Sequence, residues 1–250
     1  MTNSKQATVV LLHGVGLDHT MWRPLQEQLG RESVALDLPG HGRQPALREP
    51  QDLASLARDV LGRMTSPGPV HLVGFSLGAL IAQHIARFAP ERVLTLTAVN
   101  SVCQRTAEES AAVEQRLATA GDRFEEGVDK AIERWYPAGQ STVPAGIIAD
   151  TRRVLAANDL ESYLHAYAVF ARGDREISGE LGSITQPTLA ITGELDPGST
   201  PEMSRRLGTA IPRCKVHIVP GARHMLPVEN ATALATQLNS FFSENEGEPS

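Results

Sequence analysis

Three residues of this sequence are of the types that acyl-transfer chemistry needs: Ser76, Asp196 and His224. A serine hydroxyl is a weak nucleophile near neutral pH, so a base must take its proton and a third group must orient that base. Ser76 stands in "VHLVGFSLGALIAQHI", residues 70–85, where a β-branched run breaks into Gly74 and Gly78 around the serine and resumes as an apolar helix. Glycine inside a strand costs backbone entropy and packs nothing, so these two positions need room for neighbouring backbone. G-x-S-x-G between a strand and a helix is the context of a nucleophile elbow, which exposes a strained serine at the sheet edge beside the positive end of a helix. Its partners follow in the order acid, then histidine. "PTLAITGELDPGSTP" sets Asp196 just past a buried run, and "VHIVPGARHMLPVENA" sets His224 in a glycine-containing loop past the next. The other place for an acid, after "VLTLTAV", offers Asn100 and Ser101 and no carboxylate, which favours Asp196.

Acyl transfer also needs two N–H donors aimed at the developing oxyanion. The backbone of Leu77, next after the nucleophile, supplies one; the loop after "TVVLLHG" supplies the other, assigned here to Val15. His13, in that loop, reads as a prop for the loop and not as a reactant.

The elements that position these residues follow one pattern. "TVVLLHG", "SVALDLPGHG", "VHLVGFS", "VLTLTAVNS", "PTLAITGELD" and "CKVHIVPGARH" are apolar runs whose carboxyl ends break into small or polar residues. Between most of them lie stretches such as "DLASLARDVLGRM" with helical apolar spacing. Alternating strands and helices predict a mainly parallel sheet covered on both faces, with the irregular strand ends forming the ligand site. The alternation fails between residues 103 and 184, which read as successive amphipathic helices. The expected organisation is a core of residues 1–102 and 185–243, a helical cap over 103–184, and a disordered tail over 244–250, "SENEGEPS" being its polar source.

Composition narrows the function classes. A net charge of −6 over 250 residues, with no Lys/Arg-rich block, speaks against nucleic acid or a membrane surface as partner. The amino-terminal "ATVVLL" reads as a first strand and not as a signal. Cys103 and Cys214 are too few for a disulfide framework and lack metal-ligand spacing, so the expectation is a cytoplasmic protein without metal or organic cofactor. The partner is a small molecule; the oligomeric state is not fixed by the sequence. Trp22, Phe75, Trp135, Tyr163, Tyr167 and Phe170 are candidates to line an apolar pocket. Arg134, Arg152, Arg153 and Arg172 are candidates to meet a substrate carboxylate.

"LLHGVGLDHTMW", "ALDLPGHGRQ", "LVGFSLGALIAQHIARFAPERV", "ITGELDPGSTP" and "GARHMLPVENA" together resemble the α/β-hydrolase superfamily across nearly the whole chain. Within it the sequence is most similar to small capped hydrolases that include 3-oxoadipate enol-lactonase, with the pimeloyl-ester carboxylesterases further off; "ERWY" at 133–136 adds to that likeness. The resemblance implies an α/β-hydrolase fold with the cap inserted after the sixth strand, and the same triad and oxyanion donors. It implies a serine hydrolase of a small carboxylic ester or lactone. Alternatives on the same scaffold are a carbon–carbon bond hydrolase, a cofactor-free perhydrolase or haloperoxidase, and a non-catalytic ligand receptor. Gln44, where serine is usual, and Ala79, where glycine is frequent, depart from the family pattern.

Overall fold

The computed structural model describes residues 6–246. The six apolar runs form β1 (Val9–Leu12), β2 (Ser33–Leu36), β3 (Val70–Phe75), β4 (Val93–Val99), β5 (Thr188–Gly193) and β6 (Cys214–Val219). They pair in the order β2-β1-β3-β4-β5-β6, and every pairing is parallel. Both sheet faces are apolar because the strand residues alternate between two cores. Val10, Leu12, Leu72, Leu96 and Ala190 face one side, while Val9, Leu11, Val73, Phe75 and Ile191 face the other.

The helices that cover these faces are α1 (Arg23–Leu29), α2 (Leu53–Arg63), α3 (Leu77–Phe88), α4 (Ala107–Ala120), α5 (Phe124–Trp135), α6 (Ala145–Ala156), α7 (Leu160–Ile177), α8 (Pro201–Ala210), α9 (Leu226–Glu229) and α10 (Ala231–Asn245). Core residues of α2, α3 and α8 join the first side, and those of α1 and α10 the second. Helix starts follow local chemistry: Asp52 and Ser55 form a reciprocal capping box on α2, as do Thr106 and Glu109 on α4.

After β1 the chain moves outward to β2, then returns to place β3 on the other flank of β1. The loops leaving β1 and β3 therefore diverge, and a crevice opens between them at the carboxyl edge, where such sheets bind ligands. Leu12 pairs with Gly74, so the loop after β1 lies directly beside the elbow.

Two expectations need correction. The helical insertion, α4 to α7, follows the fourth strand and not the sixth, because the six apolar runs are the six strands and only four precede residue 103. The tail begins later than its composition suggests. Helix α10 continues to Asn245, and the Glu246 carboxylate takes Arg31 at 2.6 Å and His71 at 3.1 Å. Those partners lie some two hundred positions away in sequence, so a window over the acidic terminus carries no trace of them. The remainder of the expected tail, 247–250, lies outside the described residues.

Candidate active site

Ser76 ends β3 and caps α3 with φ 53° and ψ −112°, a left-handed conformation that non-glycine residues rarely adopt. The glycines around it make that turn possible. A Cβ on Gly74 would run into the Gly78 carbonyl, and one on Gly78 into the carbonyls of Leu12 and His13. Backbone bonds from Ser76 N–H to Val99 O (3.0 Å) and from Gly78 N–H to His13 O (3.1 Å) tie the elbow to the ends of β4 and β1. The Ser76 hydroxyl makes no capping bond to its own helix, which leaves it available for chemistry.

Asp196 and His224 meet from the ends of β5 and β6, with His224 Nδ1 2.7 Å from Asp196 Oδ2. The carboxylate is buried and fully furnished: Oδ1 accepts the N–H groups of Gly198 (2.8 Å) and Ser199 (3.0 Å), and Oδ2 also accepts Asn100 Nδ2 at 2.7 Å. Burial alone would raise its pKa, but the imidazole, Ser199 and Asn100 outweigh burial and hold it below the usual carboxylate range. Because Asp196 is acceptor-only when ionised, Nδ1 of His224 donates in this bond, and Nε2 is the nitrogen left to act as base in the neutral ring. The imidazole contacts two rings, Phe75 tilted against it at 4.9 Å and Trp135 stacked with it at 5.6 Å.

The loop after β1 is fixed by two buried histidines. His13 Nε2 accepts Leu38 N–H at 2.8 Å, and Nδ1 donates to Gly14 O at 2.7 Å. His41 Nε2 accepts Gly16 N–H at 2.9 Å, with Nδ1 donating to Pro39 O. Burial first, then His41, pushes the His13 pKa down to about 3, and burial lowers that of His41 as well, so both stay neutral and act as latches. From the insertion, Asn158 Nδ2 donates to Gly16 O at 2.8 Å. With these bonds made, the N–H groups of Val15 and Leu77 have no acceptor among the described residues.

Ser76, Asp196, His224 and Val15 line one cavity of about 410 Å³, roofed by the insertion. Residues 9–237 match the model of the alpha/beta hydrolase family. The chain belongs to that family. A hydrolase of (E)-2-((N-methylformamido)methylene)succinate from Acinetobacter baylyi is 30% identical over 87% of this chain and 83% of its own. The 3-oxoadipate enol-lactonase 1 of the same organism is 26% identical over 77% of this chain and 72% of its own. In fold, the enol-lactonase of Burkholderia xenovorans superposes with a TM-score of 0.85, covering 97% of this chain and 94% of that one, at 24% identity. As an alpha/beta hydrolase the protein is a hydrolytic enzyme acting on ester bonds.

On this alpha/beta hydrolase scaffold the pocket candidates separate. Trp135, Tyr163, Tyr167, Phe170 and Arg134 line the cavity. Trp22 and Phe75 do not: Trp22 is sealed in the core edge-on to Phe75, and Phe75 reaches the site only as the floor beneath His224. Arg152, Arg153 and Arg172 point away and pair with Asp129, Asp150 and Glu114 on exposed faces, since the helical period turns them outward. Sequence reasoning missed Arg105 and Arg116, which line the cavity, and the donors Asn100 and Asn158. Asn100 carried a signal in its place at a strand end; the other three carried none that set them apart from ordinary helix and loop polarity. Among the described residues no helix is long and apolar enough to cross a membrane.

Proposed function

We propose that the protein is a serine hydrolase that cleaves a small carboxylic ester or lactone through an acyl-enzyme, with Ser76 as nucleophile, His224 as base and Asp196 as its orienting acid. The observation that carries this reading is the buried Asp196–His224 hydrogen bond in the same cavity as a serine held at positive φ. Ser76 Oγ attacks the carbonyl carbon as its proton passes to His224 Nε2. The oxyanion rests between the N–H groups of Val15 and Leu77, which have no other acceptor among the described residues. Collapse expels the alcohol oxygen, protonated by the imidazolium; water, deprotonated by the same nitrogen, then releases the acid and restores the serine. Every step uses groups of this chain.

The cavity, about 410 Å³, has room for a compact acyl or lactone group. Residues 103–184 act as its lid. Cys103 and Cys214 are free thiols, with burial pushing their pKa values up to about 12 and about 11, and we read the chain as a cytoplasmic protein.

The test compares wild type with Ser76→Ala on short and long p-nitrophenyl esters, a simple lactone and an enol-lactone bearing a carboxylate, and includes fluorophosphonate labelling read by mass. Short-ester or lactone turnover that falls by about 10⁴-fold or more in Ser76→Ala, with unchanged circular dichroism, is the expected outcome. Equal turnover in the variant, or neither label nor turnover in the wild type, would overturn the assignment.

A further inference from the structure

The cavity wall is cationic although the protein as a whole carries a net charge of −6. Its cations divide into two groups. Arg123 and Lys130 pair with Glu126, at 3.7 and 2.6 Å. Glu109, the other acid contributed by the insertion, is held by Arg206 at 2.8 Å, and Asp196 by His224. Arg105, Arg116 and Arg134 are left with no carboxylate within ion-pairing distance among the described residues.

Each of the three guanidinium groups is anchored to a different ring. Arg105 donates to the carbonyls of Phe170 (3.1 Å) and Ala171 (3.2 Å) and lies 4.8 Å from the Phe170 ring centre. Arg116 Nε donates to the Tyr167 hydroxyl at 3.3 Å. Arg134 lies 6.0 Å from the ring centre of Trp135, the ring that stacks on His224. Burial makes Arg105 and Arg134 less basic than usual; the Asp174 carboxylate acts against this at Arg105, and the charge on Arg116 adds to it in both, so Arg116 repels each of the other two. Arg116 and Arg134, both solvent-exposed, line the cavity with no carboxylate ion-paired to them among the described residues, and their positive potential there favours a bound anion.

We propose that Arg105, Arg116 and Arg134 form a clamp for a substrate that carries two carboxylates besides the carbonyl attacked by Ser76. Forks on three separate rings suit two spaced carboxylates, each taken bidentately, better than one compact phosphoryl group. Arg134, through Trp135, sets the end nearest His224; Arg116 and Arg105 receive the far carboxylate. The proposal rests on the ester-hydrolase reading above and narrows its substrate class.

The test measures kcat/KM for three methyl esters bearing no, one and two free carboxylates: methyl butyrate, monomethyl glutarate and the 1-methyl ester of tricarballylic acid. Wild type is expected to favour the dianionic ester over methyl butyrate by about 100-fold, and that ratio to fall at least about tenfold in Arg116→Gln and in Arg134→Gln, mainly through KM. An unchanged ratio in both variants, or a wild-type preference for methyl butyrate, would refute the clamp while leaving the hydrolase reading intact. Titration calorimetry with tricarballylate separates the two ideas if no ester is cleaved. Binding to wild type that weakens at least about tenfold in Arg116→Gln supports the clamp without the hydrolase. Absence of binding, or tighter binding of phenyl phosphate than of tricarballylate, rejects it. Circular dichroism checks that each variant is folded.

Discussion

Acid should destabilise this protein through His13, and the amount follows from its surroundings. The ring is inaccessible to solvent, accepts Leu38 N–H on one nitrogen and donates to Gly14 O from the other. A proton added to Nε2 would break the Leu38 bond and charge a group sealed in the core. Its pKa is therefore pushed from 6.5 down to about 3 on folding, by burial first and His41 second. The unfolded chain binds protons below 6.5 that the folded chain refuses. This stabilisation is complete above pH 6.5 and is lost as pH falls toward 3. Between about pH 7 and about pH 5 the linkage relation gives a loss of about 2 kcal/mol from this residue alone. His41 shifts in the same direction and adds to it. The assay is urea unfolding at the two pH values in wild type and His13→Gln, whose amide offers an acceptor and a donor but does not titrate. Wild type should lose about 2 kcal/mol more than the variant over this interval. Equal losses, within about 0.5 kcal/mol, would mean that His13 titrates alike in both states and that the latch argument fails.

Two further outcomes follow from single contacts. Gly78→Ala drives a methyl into the Leu12 and His13 carbonyls at the elbow and should cost about 2–4 kcal/mol in urea unfolding; an unshifted midpoint would show that the elbow has slack. Asn100→Ala strips Asp196 Oδ2 of its second donor and should lower kcat by about tenfold while KM stays within about twofold, whereas a loss confined to KM would assign Asn100 to substrate binding.

That Ser76, Asp196 and His224 stand at strand ends around one cavity was legible because each ends an apolar run, and the run, not the residue, is what sequence displays well. The six strands were legible for the same reason. What sequence conceals is azimuth. Arg116 and Arg172 look alike on paper, yet one enters the cavity and the other pairs with Glu114 outside, because the faces of α4 and α7 are decided by their packing on each other. Asn100 was passed over for lacking a carboxylate, although its amide serves the carboxylate of another strand. Glu246 was assigned to a tail because its partners, Arg31 and His71, are distant in sequence.

The placement of the two tryptophans gives the molecule a built-in optical gauge. Trp22 is fixed in the core beneath Phe75, while Trp135 belongs to the insertion and lies against the imidazole of His224. Emission from the first is a constant background. Emission from the second reports on the contact itself, because a ligand that parts the two rings or a proton taken up by the histidine changes it, an imidazolium being a quencher of an adjacent indole. The packing of the insertion and the state of the His224 ring are thereby reported by one fluorophore, and in Trp22→Phe protein ligand entry beside them can be followed by stopped flow without a label.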